Sequence, residues 1–339
     1  MDLSIPYYDD TSRISNSNIG WFLKKGPRYL KDMLDGTVEG LKASYLDKGT
    51  MIHMYILQPD EFWAHYRILD FDTPSSKQQQ LFANNLADTV EIDPDLALIK
   101  AYSEAYSIKG KSDDKILLEA KELAKKLDNY IEYLKTEKQT DMKVISFADL
   151  NMLKTIKQNI EKHKKANELL YNLPETCEQH NEFHINWEFP KLFENYQLPC
   201  KSLIDRICID HTEKKITLID LKTTADVCNF EHSIEEYDYR RQLSFYWLAI
   251  HWYFKYELDI DIAEYTYETY IIAIQSNNGY GVRVFKFSPE SIEERLSLIS
   301  DAISQICWHK QNNLWDHSRI YYEGDGSELY NSVGSSLIL

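Results

Sequence analysis

Cysteine is sparse in this 339-residue chain: Cys177, Cys200, Cys208, Cys228 and Cys307 are widely scattered and include no C-x-x-C pair. That spacing argues against a zinc site, a dithiol redox couple and an iron–sulfur cluster, and it fits a reducing cytoplasm. Glycine and proline are also few, 11 and 9. With 43% hydrophobic and 27% charged residues, the composition is that of a folded globular protein rather than a fibrous or disordered one. No apolar run is long. Phe245 to Phe254, "FYWLAIHWYF", is interrupted by His251 and falls well short of the roughly 20 residues a membrane span needs. The start, "MDLSIPYYDD", lacks the basic and apolar regions of a signal peptide, so a cytoplasmic protein is expected. Basic residues are outnumbered, and the formal charge of −16 argues against coating nucleic acid by non-specific phosphate neutralisation. Any such contact must be local or carried by metal ions.

What is present reads first as helices. "RISNSNIGWFLKKGPRYLKDML" predicts two short helices, with cap candidates from Ser15 to Asn18 and a break at Gly26-Pro27. "DKGTMIHMYILQPDEF" predicts a helix that carries His53 and ends before Pro59. Apolar residues from Ile116 to Leu134 recur at helical spacing and predict one amphipathic helix. A further helix is expected from about Phe147 to Tyr171, capped by Ser146 with Asp149 answering it. The period then changes to two. Glu182 to Phe189, Lys201 to Asp210 and Lys215 to Thr224 read as consecutive strands, and Tyr237 to Phe254 as a buried helix. Asn278-Gly279 marks a hairpin. The segment from Ser288 to His309 reads as a closing helix with Ser288 at its cap and Pro289 at its first position. The tail from Glu323 reads as polar and loosely held.

The chemistry concentrates in "ITLIDLKTTAD". Side chains alternate along a strand, so Asp220 and Lys222 share one face while Ile219 and Leu221 take the other. A hairpin turning between Thr212 and Glu213 pairs Asp205 with Asp220, at roughly 4.5 to 5.5 Å. Their repulsion is then about 3 kcal/mol at an effective dielectric of about 20. It can be relieved by a proton, by Lys222 or by a divalent cation. Oxygen ligands favour a hard ion, Mg²⁺ or Mn²⁺, that takes further contacts from a phosphate. Lys222 would orient or help deprotonate a water and stabilise a negative transition state. The Leu221 carbonyl is a further ligand candidate. Taken alone, a D-x-K is more often a buried ion pair than a catalytic site.

The order Asp205, Asp220-Leu221-Lys222, then "YRRQLSFY" with Tyr239, Gln242 and Tyr246 resembles the PD-(D/E)XK nuclease superfamily. Within it, the match is to RecB-like and RecE-like exonucleases that carry a Q-x-x-x-Y motif. "ISNSNIGWFLKKGPRYL", "GTMIHMYIL", the helix from Val144 and "EFHINWEF" follow the same order, so the resemblance runs from about Ile14 to Tyr322. Ile204 stands where the superfamily's proline would precede the first acid. The resemblance implies an α/β fold, a restriction-endonuclease-like core with a central mixed β-sheet flanked by helices and a helical insertion before the catalytic strands. It divides a single nuclease domain into 1–110, carrying His53; an insertion, 111–175; a catalytic core, 176–322; and a flexible tail, 323–339.

The roles it implies are catalysis by Asp205, Asp220, Lys222 and Glu182, with Glu188 competing for the place of Glu182, and metal binding by His53, Asp205, Asp220 and Leu221. Gln242, Tyr246 and Tyr239 would contact DNA or support the site. The cofactor implied is Mg²⁺ or Mn²⁺, without an iron–sulfur cluster. The activity implied is exonucleolytic degradation of linear duplex DNA, 5′ to 3′, by a ring-shaped oligomer that passes single strands to a RecT-type annealing protein in phage recombination. The alternatives are a non-catalytic module that binds DNA ends or protein on the same fold, and a structure-specific endonuclease.

Overall fold

In the computed structural model the described residues are 5–38, 44–68, 71, 73–74, 76–89, 93–108, 110–136, 142–189 and 198–328. Most of the tail, 329–339, lies outside them. Contacts divide the chain into two compact units, Met1–Gln58 with Thr155–Leu339, and Pro59–Lys154.

The first unit begins with α1 (Asn16–Leu34) and α2 (Ser44–Leu57). Ser15 caps α1 in a capping box with Asn18, and the expected break is a kink at Gly26, whose φ of +82° a side chain would resist. In the second unit, α3 (Pro59–His65) leads into β1 (Tyr66–Ile68), α4 (Lys77–Ala87), α5 (Pro94–Tyr106), α6 (Asp113–Lys126), α7 (Asp128–Thr136) and β2 (Lys143–Ile145). Phe82, Ala101, Ala120, Ile131 and Leu134 form its apolar centre, and β1 pairs with β2 in parallel. The single helix expected from Ile116 to Leu134 is two, parting at Leu127. Its apolar stripe continues through the break, which is why periodicity alone joined them.

α8 (Phe147–Lys162) carries the chain back to the first unit, followed by α9 (Lys164–Leu170). Ser146 and Asp149 bond reciprocally at the start of α8, as expected. The expected helix to Tyr171 is interrupted at His163, whose ring accepts from Ala166 N and caps α9.

A five-stranded mixed sheet follows: β3 (Cys177–Glu188), β4 (Pro199–Asp210), β5 (Lys215–Thr224), β6 (Thr266–Gln275) and β7 (Val282–Phe287), in that spatial order. β5 and β6 run parallel and the other neighbours antiparallel. Between β5 and β6 lie α10 (Phe230–Glu236) and α11 (Tyr239–Tyr256). The closing helix splits into α12 (Pro289–Glu293), capped by Ser288, and α13 (Leu296–Asn312), before α14 (Arg319–Glu323). At that break Arg295 Nε donates to Asp238, the N-cap of α11, at 2.8 Å. α11 packs on β3 and β4 and against α1 and α13. Trp187, Phe245, Phe254 and Ile204, all fully buried, lie in that core, and each such side chain contributes about 1.5–3 kcal/mol. Among the described residues no helix is long and apolar enough to cross a membrane.

Candidate active site

The sheet is irregular at one place, and the acids sit there. The β4–β5 ladder pairs Arg206 with Ile219 and stops, one step short of Asp205 and Asp220. There the Asp205 carboxylate replaces a backbone carbonyl, its Oδ2 accepting from Leu221 N at 2.6 Å. On the other side, the register that pairs Asn181 with Arg206 and Phe183 with Ile204 sets Glu182 opposite Asp205. Three carboxylates therefore stand side by side on β3, β4 and β5.

Face alternation breaks at this row. Phe183, paired with Ile204, meets Tyr253 of α11 edge-on with ring centroids 5.1 Å apart. Ile207 pairs with Leu218, and Leu218 with Thr269, whose hydroxyl takes the Trp247 indole N–H of α11 at 2.8 Å. Ile204 and Ile207 thus share the α11 side three positions apart, which a regular strand forbids. The switch falls on the Glu182–Asp205 pair, and Glu182 has φ +47°, a conformation costing a non-glycine residue about 1–3 kcal/mol.

His53 arrives from α2. Gly49, one turn earlier, lets this helix lie against β5: a Cβ there would stand 3.2 Å from the Thr223 hydroxyl. His53 Nδ1 lies 3.7 Å from Asp205 Oδ2, and its ring bonds the Leu221 backbone. Desolvation, then the Lys222 charge, press its pKa down to about 4 against Asp220 and that backbone bond. It is therefore a neutral imidazole at pH 7, the form that binds metal. His53, Glu182 and Asp205 each offer a ligand atom, all within 4.8 Å of one another.

Asp220 is 1% exposed. Its Oδ1 accepts from Gln242 Nε2 at 3.1 Å, and the same amide reaches the Tyr246 hydroxyl at 2.8 Å. Its Oδ2 lies 2.5 Å from Lys222 Nζ, a buried charged contact that engages this oxygen. Lys222 also lies 5.1 Å from the centroid of the Tyr239 ring. Desolvation raises Asp220 to about 6, with Asp205 adding to it and Lys222 opposing. Desolvation raises Asp205 too, against Lys222 and the Leu221 N–H. Burial would lower Lys222, but Asp220, Asp205 and Tyr239 outweigh it and hold the amine protonated. Burial lifts the Tyr239 phenol to about 12, and burial with Asp220 and Asp205 lifts that of Tyr246 well above its ordinary value.

Every residue singled out in the sequence is thus brought to one place except Glu188, whose Oε1 lies 3.5 Å from Arg13 Nη1 farther along β3. The grouping itself differs from the one read in the sequence: His53, Glu182 and Asp205 form the cluster, while Asp220 is engaged by Lys222 and Gln242. A partly exposed donor set of one neutral imidazole and two carboxylates, with the Asp220 carboxylate adjoining, fits a divalent cation. Two supporting residues left no sequence signal beyond a charge inside a strand. Arg206 ties Asn181, at 2.7 Å, to the Leu170 carbonyl, also at 2.7 Å. Buried Lys201 donates to the carbonyls of Tyr7 and Asp10.

No protein-family model matches the chain, and no curated protein matches it significantly. Among solved structures, one described as a "Putative exonuclease" from Eubacterium rectale is similar over 98% of this chain and 97% of its own, at 11% identity and a TM-score of 0.48. Another, SSO0001, is similar over 69% of this chain and 96% of its own, at 12% identity and a TM-score of 0.26. Neither likeness carries a functional reading, which rests on the residues of the site.

Proposed function

We propose that this chain is a metal-dependent nuclease of the PD-(D/E)XK type, an exonuclease that degrades linear duplex DNA from its ends. The observation that supports it is the row Glu182, Asp205 and Asp220 on adjacent strands, with His53 beside Asp205 and protonated Lys222 against Asp220. A fold does not retain three neighbouring carboxylates and a strained backbone without compensation.

His53, Glu182 and Asp205 would hold the cation, with Asp220 and the Leu221 carbonyl adjoining. Mg²⁺ or Mn²⁺ suits that donor set, and when bound it supplies positive charge against which a phosphate's negative charge is stabilised. Lys222, charged at neutral pH, stabilises the added charge of a phosphorane-like transition state. Its ammonium cannot serve as the base while Asp220 and Asp205 hold its proton. Gln242 orients Asp220, and Tyr246 orients Gln242. Polarity from 5′ to 3′, a ring-shaped oligomer and transfer of the product strand to an annealing protein belong to the same proposal and rest on the sequence motifs.

Digestion of a linear duplex labelled at the 5′ or the 3′ end, with Mg²⁺ or with EDTA and beside Lys222→Ala, tests it. Mg²⁺-dependent release of labelled mononucleotide from the 5′ end, lost in the variant, is expected. Equal cleavage by Lys222→Ala would overturn the site. Cleavage of a closed circle at the rate of the linear form would overturn the exonuclease.

A further inference from the structure

An exposed tyrosine stands at each end of the acid row. At the β3 end, Tyr8 is 82% exposed. Its ring meets Tyr7 edge-on, centroids 5.2 Å apart, and Tyr7 meets His184, two residues beyond Glu182, at 5.3 Å. The segment is clamped from beneath by Lys201, which bonds the carbonyls of Tyr7 and Asp10 and lies 4.6 Å from the Tyr7 centroid. At the β5 end, Tyr237 is 51% exposed. Its ring lies 5.8 Å from that of Tyr239, which faces Lys222 and is itself stacked on buried Phe230 at 5.8 Å. Lys24 lies 5.7 Å from the Tyr237 centroid and bonds the Glu236 carbonyl at 2.9 Å.

A single exposed ring needs no explanation. Two rings, each in contact with a second ring and placed at opposite ends of the site, are a different matter. A held aromatic face offers stacking without the entropy cost of ordering it on binding. Tyr8 also lies within electrostatic reach of the row: desolvation, then Glu182 and Asp205, raise its phenol above the ordinary value, although the ring faces solvent. The bases of a duplex already stack on their neighbours and present only their edges, whereas unpaired bases offer a face to an aromatic side chain.

We propose that Tyr8 and Tyr237 are stacking platforms for unpaired bases on either side of the cleaved phosphate, so that the strand entering this site is single. The inference rests on the nuclease reading and names the form of its substrate: a duplex end must be opened before the phosphate reaches Lys222. β3 and β5 are two strand spacings apart, roughly 10 Å, which leaves the acid row between the two platforms.

Affinity for a fluorescent oligothymidine in EDTA, for the whole chain and for Tyr8→Ala, Tyr237→Ala and the corresponding phenylalanine variants, tests the platforms apart from catalysis. Each alanine should weaken binding by about 5- to 150-fold, the range of one base–aromatic stack. Phenylalanine should restore it, and an abasic oligonucleotide should bind the native chain as weakly as it binds the alanine variants. Unchanged affinity in both alanine variants would overturn the inference. So would an alanine effect that persists on the abasic strand, or one equally large on a blunt duplex. Mg²⁺-dependent cleavage of the same oligothymidine at saturating concentration reads the nuclease proposal separately: cleavage with tyrosine-independent binding leaves the nuclease and removes the platforms, and the reverse result does the opposite.

Discussion

At Glu182 the backbone holds a φ of +47° within a strand that runs from Cys177 to Glu188, where a glycine would sit without penalty. The strain and the repulsion from Asp205 are both carried by the residue that completes the cluster with His53. Glu182→Gly is therefore expected to raise the unfolding free energy by about 1 kcal/mol while removing divalent-cation binding, read by urea denaturation and Mn²⁺ calorimetry. A loss of stability would show that the conformation is unstrained. Lys222 presents the opposite case, a cation stabilised by its surroundings. Lys222→Gln is expected to slow single-turnover cleavage by about 10²- to 10³-fold with the far-ultraviolet circular dichroism unchanged. The common face of Asp220 and Lys222 was legible in the sequence because it follows from strand parity. The choice of Glu182 over Glu188 was not, since both have the same parity and only the β3–β4 register separates them.

Helix positions decide which side chains reach the row. α2 approaches β5 at Gly49, and its Cβ would crowd the Thr223 hydroxyl at 3.2 Å. Gly49→Val should displace His53 and weaken Mn²⁺ binding by at least tenfold, and Gly49→Ala with Thr223→Ala should recover most of what Gly49→Ala loses. Additive losses in that double-mutant cycle would separate the two residues. α11 begins at Asp238, which holds φ +48°, accepts from Arg241 N and pairs with Arg295. Asp238→Ala is expected to cost about 2 kcal/mol in thermal or chemical unfolding, and a change under 0.5 kcal/mol would contradict the capping role. The caps at Ser15, Ser146 and Ser288 were legible because a cap is formed by residues three apart. The breaks at Leu127, His163 and Arg295 were not, because an apolar stripe keeps its period across a short turn when both helices bury the same side.

For the whole molecule, one contribution to the response to acid lies away from the site. Burial would raise Glu268, but hydrogen bonds from Lys215 and Lys286 outweigh it and bring its pKa down to about 2 from 4.5. The sign follows from the depressed folded value: this stabilisation is fully present above the unfolded pKa of 4.5 and is lost as pH falls toward about 2. With both lysines half exposed it amounts to about 1 kcal/mol. Glu268→Gln should lower the melting temperature at pH 7 and converge with the native chain as the pH falls to about 2. A constant difference at both pH values would contradict this.

The sequence alone determined the hairpin register of β4 and β5 as far as Arg206 and Ile219, the shared face of Asp220 and Lys222, the caps and the succession of helices and strands. All of these depend on neighbours a few residues apart. Only the tertiary structure decided that His53 joins Glu182 and Asp205, that Asp220 is taken up by Lys222 and Gln242, and that the face alternation breaks between them. Those outcomes depend on burying Ile52 and Ile56 of α2 and Leu243 and Phe245 of α11. Burial is non-directional, so it favours any face that excludes water, and the pairing of faces is settled only when the whole core closes.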